Sequence, residues 1–233
     1  MKNKKQIIGI LAGMGPKSTS PFLDLVIEQC QKQYGARNDI DFPHIIIYSL
    51  PTPFYVNQKI NDRDMKVAIC KGLQKLESTG VGFIAMPCNI AHKYFDNLRT
   101  CIKIPLLNII DSTIKKLPKT AKKVTLFATS ATIEAKIYQN IIQKQNIKLI
   151  LNGEWQKEIS SLVQSVKNGD SQNKLLSITK RLSKYLKKEK VDTIIIACTD
   201  ITKIVKTMKG FTIIDSSEAL AEETVKKYLD YSA

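Results

Sequence analysis

Two short apolar runs, each followed almost at once by a cysteine, limit what this chain can fold into more than any other feature. The first run is Val81–Met86, with Cys88 after one proline, and the second is Thr193–Ala197, with Cys198 directly after it. Runs of this length and composition are typical of strands buried on both faces of a parallel sheet. Ligands bind at the carboxyl ends of such strands, so both cysteines are predicted at a ligand-binding edge.

A helical pattern is predicted to follow each cysteine, through Leu98 in the first case and from Ile201 in the second. At the N-terminus of a helix, backbone N–H groups lack intrahelical partners and the macrodipole favours negative charge. Both effects lower the pKa of a thiol, which makes it a base or a nucleophile. The sequence therefore predicts two reactive thiols, Cys88 and Cys198, in matching positions of the two halves.

Strands and helices alternate along the chain, which predicts βαβ units and an α/β fold with mostly parallel sheets. Strands are predicted over residues 7–12, 44–50, 81–86, 104–110, 123–127, 148–151, 193–197 and 211–214, and the longer helices over 17–33, 62–78, 131–143, 155–167, 173–188 and 216–231. The stretch 115–121, which contains Pro118, is the predicted crossover between two domains. We expect a first domain of residues 1–115, completed by 210–233, and a second domain of residues 116–209.

The chain is strongly basic: it has 36 lysines and arginines but only 21 acidic residues, which gives a formal net charge of +15. The lysines are spread over predicted helix faces, without the aromatic residues that stack nucleic-acid bases, so we expect a solvated surface and no nucleic-acid partner. A positive surface would still attract a dianionic substrate. No apolar run approaches the roughly 20 residues that span a bilayer, and Ile7–Ala12 is too short for a signal-peptide core. We therefore expect no membrane partner and a cytoplasmic location.

The other three cysteines are predicted to have a structural role and no chemical one. Five cysteines are an odd number, and without regular spacing they do not indicate a disulfide framework. Cys30, Cys70 and Cys101 have apolar neighbours, and we predict that they are core residues, because a free cysteine behaves as a small hydrophobe.

Polar and glycine-rich turns follow the predicted strands in both halves. Gly13-Met14-Gly15-Pro16 lacks the glycine and lysine pattern of a phosphate-binding loop, but its backbone N–H groups could cradle a carboxylate. Thr52, Thr129 and Thr199 follow other strands. If one cleft receives both cysteines, one thiolate can remove a proton from a carbon while the opposite thiol protonates its other face. That is the geometry of racemisation.

Three motifs also resemble the aspartate/glutamate racemase family, and most nearly its aspartate racemase branch: Gly13-Met14-Gly15-Pro16, Pro87-Cys88-Asn89-Ile90-Ala91-His92 and Ala197-Cys198-Thr199-Asp200. The similarity covers nearly the whole chain in the same order. It implies two pseudo-symmetric three-layer α/β domains with the active site in the cleft between them. It also implies a homodimer, an acidic amino acid as substrate and no cofactor.

The resemblance assigns roles to particular residues. Cys88 and Cys198 would be the catalytic pair, and Lys157 would bind a second carboxylate of the substrate. The remaining substrate-binding residues would be Met14, Thr52, Asn89, Ile90, Thr129 and Thr199. Ile90 stands where the family usually has threonine, and Ala197 and Asp200 replace a more common glycine and glutamate.

Other functions remain open at this point. The substrate could be glutamate or several acidic amino acids, or the chain could be a related cysteine-dependent isomerase. Cys88 and His92 are four residues apart on a predicted helix and could bind zinc together with Cys198, although the two histidines offer few ligands. A non-enzymatic protein that binds a small acid would use the same turns without reactive thiols.

Overall fold

The computed structural model describes residues 6–54 and 60–231, and its chain forms two compact units. The first unit comprises residues 1–109 and 217–233, and the second comprises residues 110–216. Each unit contains its own parallel sheet with helices, so the predicted α/β class with parallel sheets is confirmed. Within the described ranges, no helix combines the length and the apolar character that a membrane span requires.

The first unit has a three-stranded parallel sheet in the order β2-β1-β3. Its strands are β1 (Ile8–Ala12), β2 (Ile45–Ser49) and β3 (Phe83–Ala85), and its helices before the crossover are α1 (Thr19–Tyr34), α2 (Asp62–Glu77) and α3 (Phe95–Leu98). All of β1 and β3 is buried, as the apolar runs predict for central strands. Helix α2 is capped by Asn61, whose side chain accepts hydrogen bonds from the N–H groups of Arg63 and Asp64.

The second unit has a four-stranded parallel sheet in the order β5-β4-β6-β7. After helix α4 (Ile109–Ile114), its elements are β4 (Lys123–Phe127), α5 (Ser130–Glu134), α6 (Gln139–Ile142), β5 (Lys148–Leu149), α7 (Gly153–Asn168), α8 (Gln172–Lys188), β6 (Thr193–Ile196), α9 (Thr202–Val205) and β7 (Thr212–Asp215). Helix α10 (Ser216–Asp230) then returns the chain to the first unit.

Helix α7 shows why local sequence predicts this unit well. The Asn152 side chain accepts a hydrogen bond from the Glu154 N–H at the start, and Gly169 ends the helix in the left-handed region at φ 76°. Its apolar positions, which include Trp155 and Ile159, are spaced for one helix face and pack into the core of the second unit.

The domain boundaries differ from the predicted ones. The chain passes from the first unit to the second after Ile109 instead of after residue 115, and residues 210–216 belong to the second unit. The reason for the second difference is that β7 pairs with β6, with Ile195 opposite Ile214. The strand predicted to complete the first domain therefore completes the second sheet.

A predicted strand and a predicted helix do not form as single continuous elements. The strand predicted over residues 104–110 is reduced to one parallel bridge between Leu106 and Ile84, because α4 already begins at Ile109. The helix predicted over residues 131–143 is divided into α5 and α6, and between them Lys136 adopts φ 54°, a left-handed conformation that cannot continue a right-handed helix.

Candidate active site

The carboxyl edge of the first sheet is formed by three turns, one after each strand. The turn after β1 lies against the backbone after β2: the Leu50 N–H donates to the Ala12 carbonyl at 3.0 Å. Gly13 has φ 90°, and a Cβ there would lie 2.5 Å from the Leu50 nitrogen. The positive φ and this close approach mean that the turn requires glycine at position 13. The next residue, Met14, is half-buried against the core of the first unit.

The third turn carries Cys88, whose residue is only 6% exposed. Its N–H donates to the Met86 carbonyl at 2.8 Å across Pro87, which makes a tight turn at the end of β3. Asn89 is also buried, and Ile90 is half-buried against the core of this unit. Thr52, after β2, is half-buried as well, and its carbonyl accepts from the Phe54 N–H at 2.7 Å. Met14, Thr52, Cys88, Asn89 and Ile90 therefore follow neighbouring strands at one sheet edge, as predicted.

The segment after Cys88 is not the α-helix that the sequence predicts. Residues Ile90–Tyr94 form a 3-10 helix, and only the four residues of α3 are α-helical. In an α-helix the Cys88 carbonyl would accept the backbone N–H of His92. Here that N–H donates to the Asn89 carbonyl at 3.0 Å, and the Cys88 carbonyl is hydrogen-bonded to the His92 ring instead. A helix this short has a small macrodipole, which weakens the predicted helix contribution to thiol acidity.

His92 is buried, and its ring contacts three backbone groups, the longest of these contacts joining Nε2 to the Leu107 carbonyl oxygen at 3.4 Å. Its Nε2 lies 3.1 Å from the Ile109 nitrogen, and its Nδ1 lies 2.8 Å from the Cys88 carbonyl oxygen. A backbone N–H can only donate, so Nε2 is the acceptor and Nδ1 carries the proton that is donated to Cys88. Burial lowers the pKa of His92 to about 4, which keeps the ring neutral in this tautomer at physiological pH.

The buried neutral ring predicts a pH dependence of stability. His92 has a pKa of 6.5 when unfolded and about 4 when folded, so only the unfolded chain binds this proton between these values. The free energy of unfolding should therefore fall as the pH drops from 6.5 to 4, by about 3 kcal/mol in total from this residue. When the free energy of unfolding, measured with urea, is plotted against pH, its slope should be smaller in His92→Gln than in the wild type. The control is His44→Gln at an exposed residue, which should keep the wild-type slope.

Helix α2 holds the same segment from another side. The Asp62 carboxylate accepts from the Lys93 ammonium at 2.8 and 2.9 Å and from the Tyr94 hydroxyl at 2.6 Å. The bonds from Lys93 and Tyr94 lower the pKa of Asp62. These contacts tie the 3-10 helix to the first turn of α2, so the turn that carries Cys88 is fixed by side chains on both sides.

Cys70 and Cys101 form a disulfide, which corrects the prediction that both are free core cysteines. Their Cα atoms are 5.8 Å apart, and the bond joins α2 to the turn after α3. Spacing in the sequence did not reveal this contact, because it results from the packing of α3 against α2. Cys30 is free and buried, as predicted, and burial raises the pKa of its thiol.

The carboxyl edge of the second sheet carries the other cysteine. Cys198 is 8% exposed and extended, and it precedes the 3-10 helix Thr199–Ile201 and the four residues of α9. The predicted longer helix is therefore absent here too. The next strand, β4, ends beside it, since the Ala197 N–H donates to the Phe127 carbonyl at 2.9 Å. Thr129 follows β4, half-buried, and its hydroxyl caps α5 by accepting from the Thr132 N–H at 3.3 Å.

Helix α7 approaches this edge through a residue that the sequence analysis missed. The Gln156 side-chain amide donates to the Ala128 carbonyl at 3.0 Å, directly before Thr129. Lys157, the predicted ligand of a second carboxylate, is the next residue and is exposed. The structure thus brings Thr129, Cys198 and the half-buried Thr199 to one edge, with Gln156 in contact with the turn and Lys157 beside it on the exposed face.

The zinc alternative conflicts with the geometry of His92. Both ring nitrogens are engaged with backbone groups inside the fold, so neither has a lone pair available for a metal. Throughout the part of the chain that the structure describes, no three His, Cys, Asp or Glu side chains are placed to hold a metal ion.

Comparison with known proteins identifies relatives over nearly the whole chain. A sequence model of the family described as Asp/Glu/Hydantoin racemase matches residues 11–224. A curated protein of Bacillus subtilis (strain 168), "Broad specificity amino-acid racemase RacX", is 44% identical over 228 residues, which cover 97% of this chain and 100% of the relative. The solved structure of a Picrophilus torridus aspartate racemase has a TM-score of 0.76 at 29% identity, over 96% of this chain and 94% of that one. A glutamate racemase from Campylobacter jejuni subsp. jejuni shares the fold, with a TM-score of 0.64 at 24% identity over 95% and 85% of the two chains.

Proposed function

The chain belongs to the Asp/Glu/hydantoin racemase family, and from this premise we propose that it racemises amino acids without a cofactor, with Cys88 and Cys198 as its acid and base. The observation that carries the proposal is the matched placement of the two thiols. Each lies within three residues of the end of a buried strand, at the carboxyl edge of its own sheet, and each comes shortly before a 3-10 helix. The non-enzymatic alternative gives no reason for this correspondence.

The proposed reaction is a balanced transfer of two protons. The thiolate of one cysteine takes the α-proton of the amino acid, and the α-carboxylate stabilises the resulting carbanion. The thiol of the other cysteine then protonates the opposite face and becomes the thiolate. Because the enzyme begins and ends with one thiol and one thiolate, the same pair converts either enantiomer, with the roles exchanged.

Substrate orientation requires donors for the α-carboxylate. The side chains of Asn89 and Thr199, each next to a catalytic cysteine, and of Thr129 at the second sheet edge are the donors that we propose. We also assign Met14 and Thr52 to the substrate site. The turn of Met14 follows β1, the neighbour of the strand that precedes Cys88, and the turn of Thr52 follows β2, on the other side of β1. A preformed set of donors lowers the cost of aligning the α-carbon with the thiols.

Aspartate is the first substrate that we propose. It is supported by the three sequence motifs and by the likeness to the Picrophilus torridus enzyme, which is named an aspartate racemase. The cation for its second carboxylate would be Lys157, an exposed residue of α7 whose neighbour in sequence, Gln156, contacts the turn before Thr129. The net charge of +15 would favour the approach of a dianion.

Broad specificity is the second candidate, and two specific observations favour it. The relative that is 44% identical is named a broad-specificity racemase. Next to Cys88 and Asn89, Ile90 stands where the family usually has a threonine, so a hydroxyl is replaced by hydrocarbon at a half-buried position. Such a site would bind a short dianion less tightly and accept more apolar side chains, at about 1–3 kcal/mol per methylene.

A substrate panel on three proteins tests these proposals. We expect the wild type to racemise aspartate. Lys157→Ala should raise the KM for aspartate about tenfold, the equivalent of about 1.4 kcal/mol, and leave kcat/KM for neutral amino acids unchanged. Lys180→Ala, at an exposed lysine on α8, removes the same charge elsewhere and should have no effect. An unchanged aspartate KM in Lys157→Ala would remove this lysine from the site, and equal rates across the panel would favour broad specificity.

A homodimer and a cytoplasmic location stay predictions. A cytoplasmic location has a consequence for the Cys70–Cys101 pair. Disulfides are rare in reducing compartments, so the pair is expected as two thiols in the cell if the location is correct.

A further inference from the structure

We infer that His92 is a positioning residue for Cys88: its ring holds the Cys88 backbone in place through one hydrogen bond and anchors it to Ile109 through another. The inference rests on the proposed role of Cys88 as a catalytic thiol. His92 does not contact the substrate in this account. It acts through the main chain of the residue that does.

The ring replaces a hydrogen bond that an α-helix would have made. The Cys88 carbonyl accepts from Nδ1 at 2.8 Å, whereas the backbone N–H of His92 donates to Asn89 at 3.0 Å. The backbone is thereby kept in a 3-10 turn, and Cys88 lies just before this turn instead of inside an α-helix. A side chain that could not donate from this position would leave the Cys88 carbonyl buried without this partner.

Other contacts keep the ring itself from moving. Nε2 accepts from the Ile109 N–H at 3.1 Å, and the ring stacks on Phe95 with centroids 5.6 Å apart and planes 10° apart. Since the ring is buried and both nitrogens are engaged, its orientation is determined from two sides. Displacement of a reacting group by about 1 Å can cost about 100-fold in rate, so a fixed Cys88 backbone has a kinetic value.

Two amide substitutions separate the two hydrogen bonds. In His92→Asn the amide nitrogen can replace Nδ1 and donate to Cys88, but the bond to Ile109 is lost. In His92→Gln the amide oxygen can replace Nε2 and accept from Ile109, but the donor to Cys88 is lost. We expect His92→Gln to lower kcat about 10–100-fold with KM within about threefold, and His92→Asn, which keeps the donor to Cys88 but loses the bond to Ile109, to lower kcat less than His92→Gln does.

Alkylation gives a readout that does not depend on racemase activity. With iodoacetamide at fixed pH, the peptide that contains Cys88 should be modified at least about threefold faster in His92→Gln than in the wild type or His92→Asn, because the buried thiol is released. The peptide that contains Cys198 should react at the same rate in all three. Equal Cys88 alkylation and equal kcat in the two variants would overturn the inference. If the wild type racemises no amino acid, the proposed function fails, while the alkylation rates still test the positioning of Cys88.

The wild type offers a test that requires no variant. Nitrogen-15 NMR of His92 should show a neutral ring with the proton on Nδ1 at pH 7. A proton on Nε2, or a charged ring, would contradict the two hydrogen bonds on which the inference rests.

Discussion

Replacing either Cys88 or Cys198 with serine should lower the rate of racemisation in both directions by about 10²–10⁴-fold, the contribution typical of a positioned acid or base. A serine hydroxyl has nearly the shape of the thiol but is a far weaker acid, so the carbanion step loses its base or its proton donor. Because each residue is the base for one enantiomer, neither variant should retain full activity in either direction. The measurement is the initial rate from L- and from D-substrate, by circular dichroism or chiral chromatography.

The matched control for these variants is Cys30→Ser. Cys30 is another buried cysteine outside the disulfide, on α1 of the first unit. Its replacement should leave kcat within about threefold of the wild type and affect stability by no more than about 1–3 kcal/mol, as is usual for a single buried polar change. Wild-type activity in Cys88→Ser or in Cys198→Ser would remove that residue from the catalytic pair.

Gly13→Ala should have the largest effect on stability and should also abolish activity. At φ 90° an L side chain is strained, and here its Cβ would lie 2.5 Å from the Leu50 nitrogen and 2.6 Å from the Leu50 oxygen, atoms of a backbone that cannot move aside. We expect a loss of more than about 3 kcal/mol, the upper range for a single strained residue plus the overlap. The turn would be displaced together with Met14. Urea unfolding midpoints and racemisation rates would measure both effects.

Gly35→Ala separates the cost of the positive φ from the cost of the overlap with Leu50. Gly35 ends α1 at φ 73°, but no atom lies within 4 Å of the Cβ position. It should therefore lose only the conformational part, about 1 kcal/mol, and keep its activity. Equal losses of stability in the two alanine variants would show that the overlap with Leu50 does not matter.

The parts of the fold that could be predicted are those that local sequence determines. The strand Lys123–Phe127 was predicted with its observed bounds, because its apolar run is bounded by turn residues. The ends of α7 follow from Asn152 and Gly169, which satisfy the helix termini by themselves. The placement of the two cysteines at strand ends needed only the order of strand and turn.

The parts that failed depend on groups that are distant in sequence. The 3-10 turn after Cys88 exists because the His92 ring takes the Cys88 carbonyl, and the ring is fixed by Ile109 and Phe95. The Cys70–Cys101 bond links residues 31 positions apart, which only the packing of α3 on α2 brings together. Gln156 was overlooked because its contact with the Ala128 carbonyl depends on how α7 lies over the end of β4.

The most direct test of the central claim is racemisation in heavy water, with deuterium measured at the α-carbon of substrate and product at low conversion. If Cys88 and Cys198 act on opposite faces, the product gains deuterium from the second thiol, which has exchanged with solvent, and the remaining substrate keeps its α-hydrogen. Deuterium in almost every product molecule and in almost no recovered substrate is the result that this account predicts, from either enantiomer. Product that retains the substrate's own α-hydrogen, or deuterium that enters substrate and product equally, would contradict the two-cysteine mechanism.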